Sequence, residues 1–243
     1  MKIQLTLFRK INILITVTKN NLFAFFGTDT AIIELKLKEV NLPMNGLLTV
    51  VIPSFNEEGN IHNTANTVLG IMDRENIKCE LIFVSDGSKD QTFAEIRQAS
   101  QKDPRVKGIE FSRNFGKEAG LYAGLEHASG EYIALIDADL QQRPEIVRNM
   151  VEILDKKPDI DVVAAYQDRR GEGKVLSFFK KAFYGIINRL STVKLKADAS
   201  DFRTFRRSVA DSILQLKEYH RFSKGIFAWV GFDTEFIPYT ACE

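Results

Sequence analysis

The stretch "YIALIDADLQQRPE" (Tyr132–Glu145) runs an apolar segment, Tyr132–Ile136, straight into two carboxylates one residue apart, Asp137 and Asp139. The apolar part reads as a short buried strand, and Pro144 opens helical spacing over Ile146–Leu154. Either aspartate alone is explained by a turn or a helix N-cap. The pair asks for more. Two carboxylates at i and i+2 past a strand end, followed by Gln141, suit a hard cation such as Mg2+ or Mn2+. Such ions take carboxylate oxygens together with substrate phosphate.

Outward from this segment the same alternation recurs. "LLTVVI" (Leu47–Ile52), "ELIFV" (Glu80–Val84), "VKGIEF" (Val106–Phe111) and "DVVAA" (Asp161–Ala165) read as strands. Helical spacing over Ile61–Met72, Phe93–Ala99 and Glu118–His127 separates them, and Ile133–Ile136 is the fourth strand. Near-continuous apolar strands alternating with helices predict an α/β fold, an open, mostly parallel, Rossmann-like sheet with helices on both faces. The polar motifs all follow strands: "PSFNEE" (Pro53–Glu58), "SDGSKD" (Ser85–Asp90), "SRNFGKEAG" (Ser112–Gly120) and "DADLQ" (Asp137–Gln141). Ligands bind at the carboxyl ends of strands in such sheets, so these four loops are expected to line one crevice. Taken singly, each has a plainer reading. Asp86 before Gly87 suggests an Asx turn, Glu57 and Glu58 a helix start, Asn56 a loop-shaping residue and Lys117 a solvated side chain. The absence of G-x-G-x-x-G, G-x-x-x-x-G-K-[ST] and G-x-S-x-G disfavours a dinucleotide fold, a P-loop and a hydrolase elbow.

Composition narrows the class. With 44% hydrophobic and 27% charged residues the chain is globular rather than disordered, and 243 residues bury a substantial core. A formal charge of +1 argues against a general nucleic-acid partner. Cys79 and Cys242 are far apart and the three histidines form no motif, so neither a disulfide scaffold nor a zinc site is expected, and a reducing compartment is the simplest. No window has the apolar length of a membrane span, and no signal-peptide cleavage pattern follows the N-terminal apolar run. Residues 1–46 form β-prone pieces of no assigned role, read as an N-terminal extension to a catalytic domain over 47–243. "RRGEGKVLSFFKKAFYGIINRL" (Arg169–Leu190) has apolar residues at helical spacing interspersed with cations. A helix on an anionic membrane surface and a helix packed on the sheet with snorkelling lysines fit it equally.

With these residues assembled, the chain resembles the family 2 glycosyltransferases of the GT-A fold. More narrowly it is similar to the polyprenyl-phosphate group, the bactoprenol glucosyltransferases and dolichol-phosphate mannose synthases. The resemblance spans roughly Thr49–Tyr239. It rests on "VVIPSFNEEGNI", "FVSDGSKDQT", "FSRNFGKEAGLYAGLEHASGEYIALIDADLQQRPE", "RRGE", "ASDFRTFRR" and "RFSKGIFAWVGF". It implies that Pro53, Asn56, Glu57 and Asp86, with Lys117 and Asp137, bind a nucleotide sugar. Asp137, Asp139 and Gln141 would hold Mg2+ or Mn2+, with Asp139 and Asp201 the catalytic carboxylates. Arg169, Lys181, Arg203, Arg221 and Lys224 would meet the acceptor phosphate. The implied partners are a nucleotide-sugar donor, UDP-glucose or similar, a polyprenyl phosphate and the membrane surface on its cytoplasmic side, where this form would be peripheral. No nucleic acid is implied, and homo-oligomerisation stays open. Relatives of this group continue through a basic segment and two membrane-spanning helices, so the chain reads as C-terminally truncated. The alternatives are an inactive remnant that binds nucleotide or partners only, and a family 2 transferase with a saccharide acceptor.

Overall fold

The computed structural model describes residues 4–5, 13–18, 21–26, 32–36, 46–167, 199–216 and 222–239. The chain divides into two compact units, Met1–Pro43 and Met44–Glu243. The first unit holds an antiparallel sheet in simple order, β1 (Gln4–Leu5), β2 (Ile13–Thr18), β3 (Asn21–Phe26) and β4 (Ile32–Lys36). β2 and β3 pair over their whole length, from Ile13↔Phe26 to Thr18↔Asn21.

The second unit begins with β5 (Leu48–Ser54), buried at every position but Pro53. Apolar side chains on both sides of a strand can be satisfied only if both sheet faces are covered, and the elements that follow do this. They are α1 (Ile61–Arg74), β6 (Cys79–Ser85), α2 (Thr92–Lys102), β7 (Val106–Glu110), α3 (Lys117–His127), β8 (Tyr132–Leu135), α4 (Glu145–Lys156) and β9 (Val162–Gln167). After residues outside the described set come β10 (Ala199–Arg206), α5 (Arg207–Leu214), α6 (Ser223–Trp229) and β11 (Thr234–Tyr239). The sheet order is β11-β9-β10-β8-β5-β6-β7. Only β10 runs against the rest, antiparallel to both β8 and β9.

Strand alternation sorts the core into two halves. Val50, Ile52, Leu81, Phe83, Ala134 and Ile136 face α1, α2 and α4, through Ile61, Val68, Met72, Ile96, Val147 and Met150. Val51, Ile82, Val84, Ile133 and Leu135 face α3, α5 and α6, through Leu121, Leu125, Val209, Ile213 and Phe227. The doubly covered, mostly parallel sheet matches the expected α/β class. The strands and helices expected between Leu47 and Ala165 are present within a few residues of their predicted ends.

The sequence reading does not include β10, which inserts between β8 and β9, the fourth and fifth expected strands. β10 is hard to see in the sequence because charged residues interrupt its apolar alternation, and Arg203 is itself buried. Among the described residues no helix is long and apolar enough to cross a membrane. The amphipathic segment Arg169–Leu190 lies outside the described residues.

Candidate active site

Strands β5, β6, β7 and β8 are parallel, with Ser54 opposite Ser85 and Ser85 opposite Glu110. Their following loops therefore gather at one edge. The first two are laced together: Asn56 N donates to Ser88 Oγ (3.1 Å), Glu57 N to Thr92 Oγ1 (2.8 Å) and Glu58 N to Asp90 Oδ2 (3.1 Å). In return Lys89 N donates to Asn56 Oδ1 at 3.1 Å. Asn56 has φ 55°, the left-handed region in which asparagine is tolerated better than most residues. Glu57 accepts from Asn60 Nδ2 at 2.8 Å. Pro53, half-buried, packs beneath α3 beside Gly120.

Asp86 is 3% exposed and serves the third loop. Its Oδ1 accepts from Phe115 N at 2.7 Å and its Oδ2 from Gly116 N at 2.8 Å. Gly87, with φ 64°, lets the chain approach closely, and what approaches is protein. A Cβ there would lie 2.2 Å from the carbonyl carbon of Arg113 and 2.5 Å from Asn114 N. These contacts fix the point where the chain enters α3, at Gly116 with φ 96°.

Lys117, the first residue of α3, reaches from there to the fourth loop. Its Nζ lies 2.5 Å from Asp137 Oδ1 and 3.5 Å from Asp201 Oδ2. Burial disfavours the ammonium, but the hydrogen bond and charge of Asp137, with Asp201 behind it, outweigh that and raise its pKa. Strand register explains the convergence. Arg203 pairs with Leu135 across antiparallel β10 and β8, so two residues back on one strand and two forward on the other bring Asp201 and Asp137 to the same edge.

The spacing of the two aspartates has a local cause. Ala138 between them is buried, its carbonyl accepting from Thr64 Oγ1 at 2.7 Å, while Asp137 is half-exposed and Asp139 exposed. Gln142, buried, grips Asp137 twice: its Oε1 accepts from Asp137 N (3.1 Å) and its Nε2 donates to Asp137 Oδ2 (2.7 Å). Gln141 is exposed and contributes its backbone N–H to Asp139 Oδ1 at 3.1 Å.

The profile of the family described as "Glycosyl transferase family 2" matches residues 49–214, which include every one of these groups. The chain belongs to glycosyl transferase family 2. An uncharacterised glycosyltransferase of Synechocystis is 40% identical over 190 residues, covering 78% of this chain and 59% of the relative. The bactoprenol glucosyl transferase of Shigella phage SfV is 37% identical over 196 residues, 81% of this chain and 64% of that protein. The chain thus spans less than two thirds of the length of these relatives. Among solved structures, the Pyrobaculum calidifontis mannosyltransferase PcManGT, in complex with GDP-Man and Mn2+, superposes with a TM-score of 0.55 at 20% identity. That match covers 81% of this chain and 56% of that one, and shows a shared GT-A fold.

Within this family 2 domain the remaining expected residues separate. Arg203 is 4% exposed and donates through Nη2 to Ser200 O (2.9 Å) and through Nε to Asp201 O (3.4 Å), with its guanidinium 4.1 Å from the centre of the Phe227 ring. Burial pulls its pKa down to about 10, which leaves it charged at neutral pH. Arg169, Lys181 and Arg221 lie outside the described residues. Lys224 falls in α6, and its side chain is likewise outside them. Among the described residues no three His, Cys, Asp or Glu side chains group as metal ligands. Sequence reasoning overlooked Thr64 and Gln142. Two adjacent glutamines offer no spacing signal to tell which turns inward, and Thr64 resembles any helical threonine.

Proposed function

We propose that this domain transfers a sugar, with inversion, from a nucleotide sugar of the UDP-glucose type to a polyprenyl phosphate, for modification of surface polysaccharide or lipid. The observation that supports it most is the meeting of Asp137 and Asp201 about one lysine ammonium, at an edge where four motif-bearing loops gather. The likeness to a bactoprenol glucosyl transferase supports the acceptor class. Work on a lipid substrate would place the protein at the cytoplasmic face of the membrane.

Asp137 and Asp139 are hard oxygen donors on one side of an open strand end, with the diphosphate available to complete the shell, so the donor set fits Mg2+ or Mn2+. When bound, such an ion would stabilise the charge of the departing diphosphate. The protein's own groups do the rest. The interlaced β5–α1 and β6–α2 loops, with Pro53, Asn56 and Glu57, would seat the nucleoside, while Asp86 holds the α3 entrance in place. Asp201 would face the incoming phosphate monoester and orient it. An oxygen of that phosphate attacks the anomeric carbon as the bond to the nucleoside diphosphate breaks on the opposite face. The monoester carries about −1.5 to −2 charge near neutrality, so a strong base is not required, and alignment supplies much of the acceleration. Buried Arg203 is better placed to brace the Ser200–Asp201 backbone than to meet the phosphate itself.

A radiolabel assay with polyprenyl phosphate, Mn2+ and a panel of nucleotide sugars tests the reading. One donor should yield a lipid-linked sugar. If none does, the proposal fails, and UDP binding without turnover would mark a nucleotide-binding remnant instead. Asp137→Asn should abolish metal-dependent donor binding, and an unchanged calorimetric affinity would contradict the role given to Asp137.

A further inference from the structure

Both carboxylate oxygens of Asp137 are engaged: Oδ2 by Gln142 Nε2 and Oδ1 by Lys117 Nζ. Each oxygen keeps a second lone pair, so a divalent cation could share Asp137 with either donor. It is repelled by a neighbouring ammonium and not by a neutral amide, however, and the two bonds are not equivalent. Gln142 is buried and holds Asp137 through backbone and side chain together, so its release would unmake the loop. Lys117 is anchored on both flanks. Phe115 and Gly116 are tied to Asp86, and the Glu118 carboxylate accepts from Ser223 N at 3.1 Å. What stays free to swing is its four-carbon stem, tipped with a compact point charge. The ammonium also lies 3.5 Å from Asp201 Oδ2, and two carboxylates that approach one ammonium this closely repel each other without a cation between them.

We infer that Lys117 is a resident counter-ion, neutralising the Asp137–Asp201 pair until a nucleotide diphosphate arrives and then ceding Asp137 to the divalent cation. The inference rests on the donor site proposed above. It makes Lys117 a competitor of free metal, so that cation is retained mainly when diphosphate oxygens come with it. A fixed structural ion pair would behave otherwise, since its loss would not improve metal binding.

The test uses the full chain and Mn2+ alone, titrated by electron paramagnetic resonance, with Lys117→Met, Lys117→Gln and Lys117→Arg. Both neutral variants should bind free Mn2+ at least about fivefold more tightly than wild type, within the scale of one partly exposed ion pair. Lys117→Arg should bind no more tightly than wild type, and Lys102→Met, remote on α2, should change nothing. Thermal melting checks folding, and either neutral variant suffices. If folded neutral variants bind Mn2+ no better than wild type, or if Lys102→Met matches them, the counter-ion role is refuted. A parallel titration with UDP separates the two ideas. Wild type that binds Mn2+ with UDP while the neutral variants show no gain overturns only the counter-ion. Wild type that binds no Mn2+ even with UDP removes the donor site itself.

Discussion

Glu80 sits at the amino end of β6, opposite the end that bears Asp86, and shows how strongly one buried carboxylate can be held. Its Oε1 accepts from Thr49 Oγ1 (2.5 Å), Ser129 N (2.7 Å) and Ser129 Oγ (2.7 Å), and its Oε2 from Lys107 Nζ (2.6 Å). Burial raises its pKa, but these four donors more than reverse that and bring it from the ordinary 4.5 down to about 2. A depressed carboxylate stabilises the fold fully above its unfolded value, and that contribution is lost as pH falls through the folded one. Glu80→Gln should therefore cost about 2–4 kcal/mol in urea unfolding at neutral pH, because it disturbs a buried, multiply bonded charge. The gap to wild type should narrow as pH drops from about 5 toward 2. A gap that stays constant over that range would show that the charge contributes nothing. Glu80 illustrates what a residue-level reading misses: in "ELIFV" it looks like a strand boundary, and only the fold brings Ser129 and Lys107 to it.

At the scale of elements, the β7–α3 loop depends on the absence of a side chain at Gly87. A Cβ there meets backbone atoms of Arg113 and Asn114, which cannot step aside as a flexible side chain would, and φ 64° adds strain for any L side chain. Gly87→Ala should lower stability by about 1–3 kcal/mol and shift the loop that delivers Lys117. Melting should register the first effect and weaker UDP binding by calorimetry the second. Normal values for both would mean that the close approach is not retained. Elements of this domain were legible in proportion to their simplicity. β5, β6 and β8 announce themselves as unbroken apolar runs, and α4 by Pro144 and its spacing. β10 did not, because Asp201, Arg203 and Arg206 break its pattern and its partners lie far away in the chain. The expected gathering of the motif loops at one end of the parallel strands was legible, while the bonds of Asp86 and Gln142 are tertiary events that no local rule predicts.

Across the whole molecule, the strands described for the larger sheet are most deeply buried at its centre. β5 and β8 are buried on both faces and flanked by strands on both sides, whereas β7 is largely exposed and β11 only partly covered. Hydrogen exchange should find the slowest amides in β5, β6 and β8, with β7 and β11 opening earlier, because edge strands lose few contacts when they detach. Uniform protection across all seven would argue against this layering. The reversed course of β10 has a further consequence. The gap between the two aspartates is written into the interstrand ladder, with the main chain acting as a ruler. A slip of one residue would turn Asp201 to the other side of the sheet, and a slip of two would carry it roughly 7 Å along the strand. Evolution or an engineer can therefore reshape what the β5–α1, β6–α2 and β7–α3 loops admit without altering that gap, since exchanging those three leaves the ruler's graduations where they are.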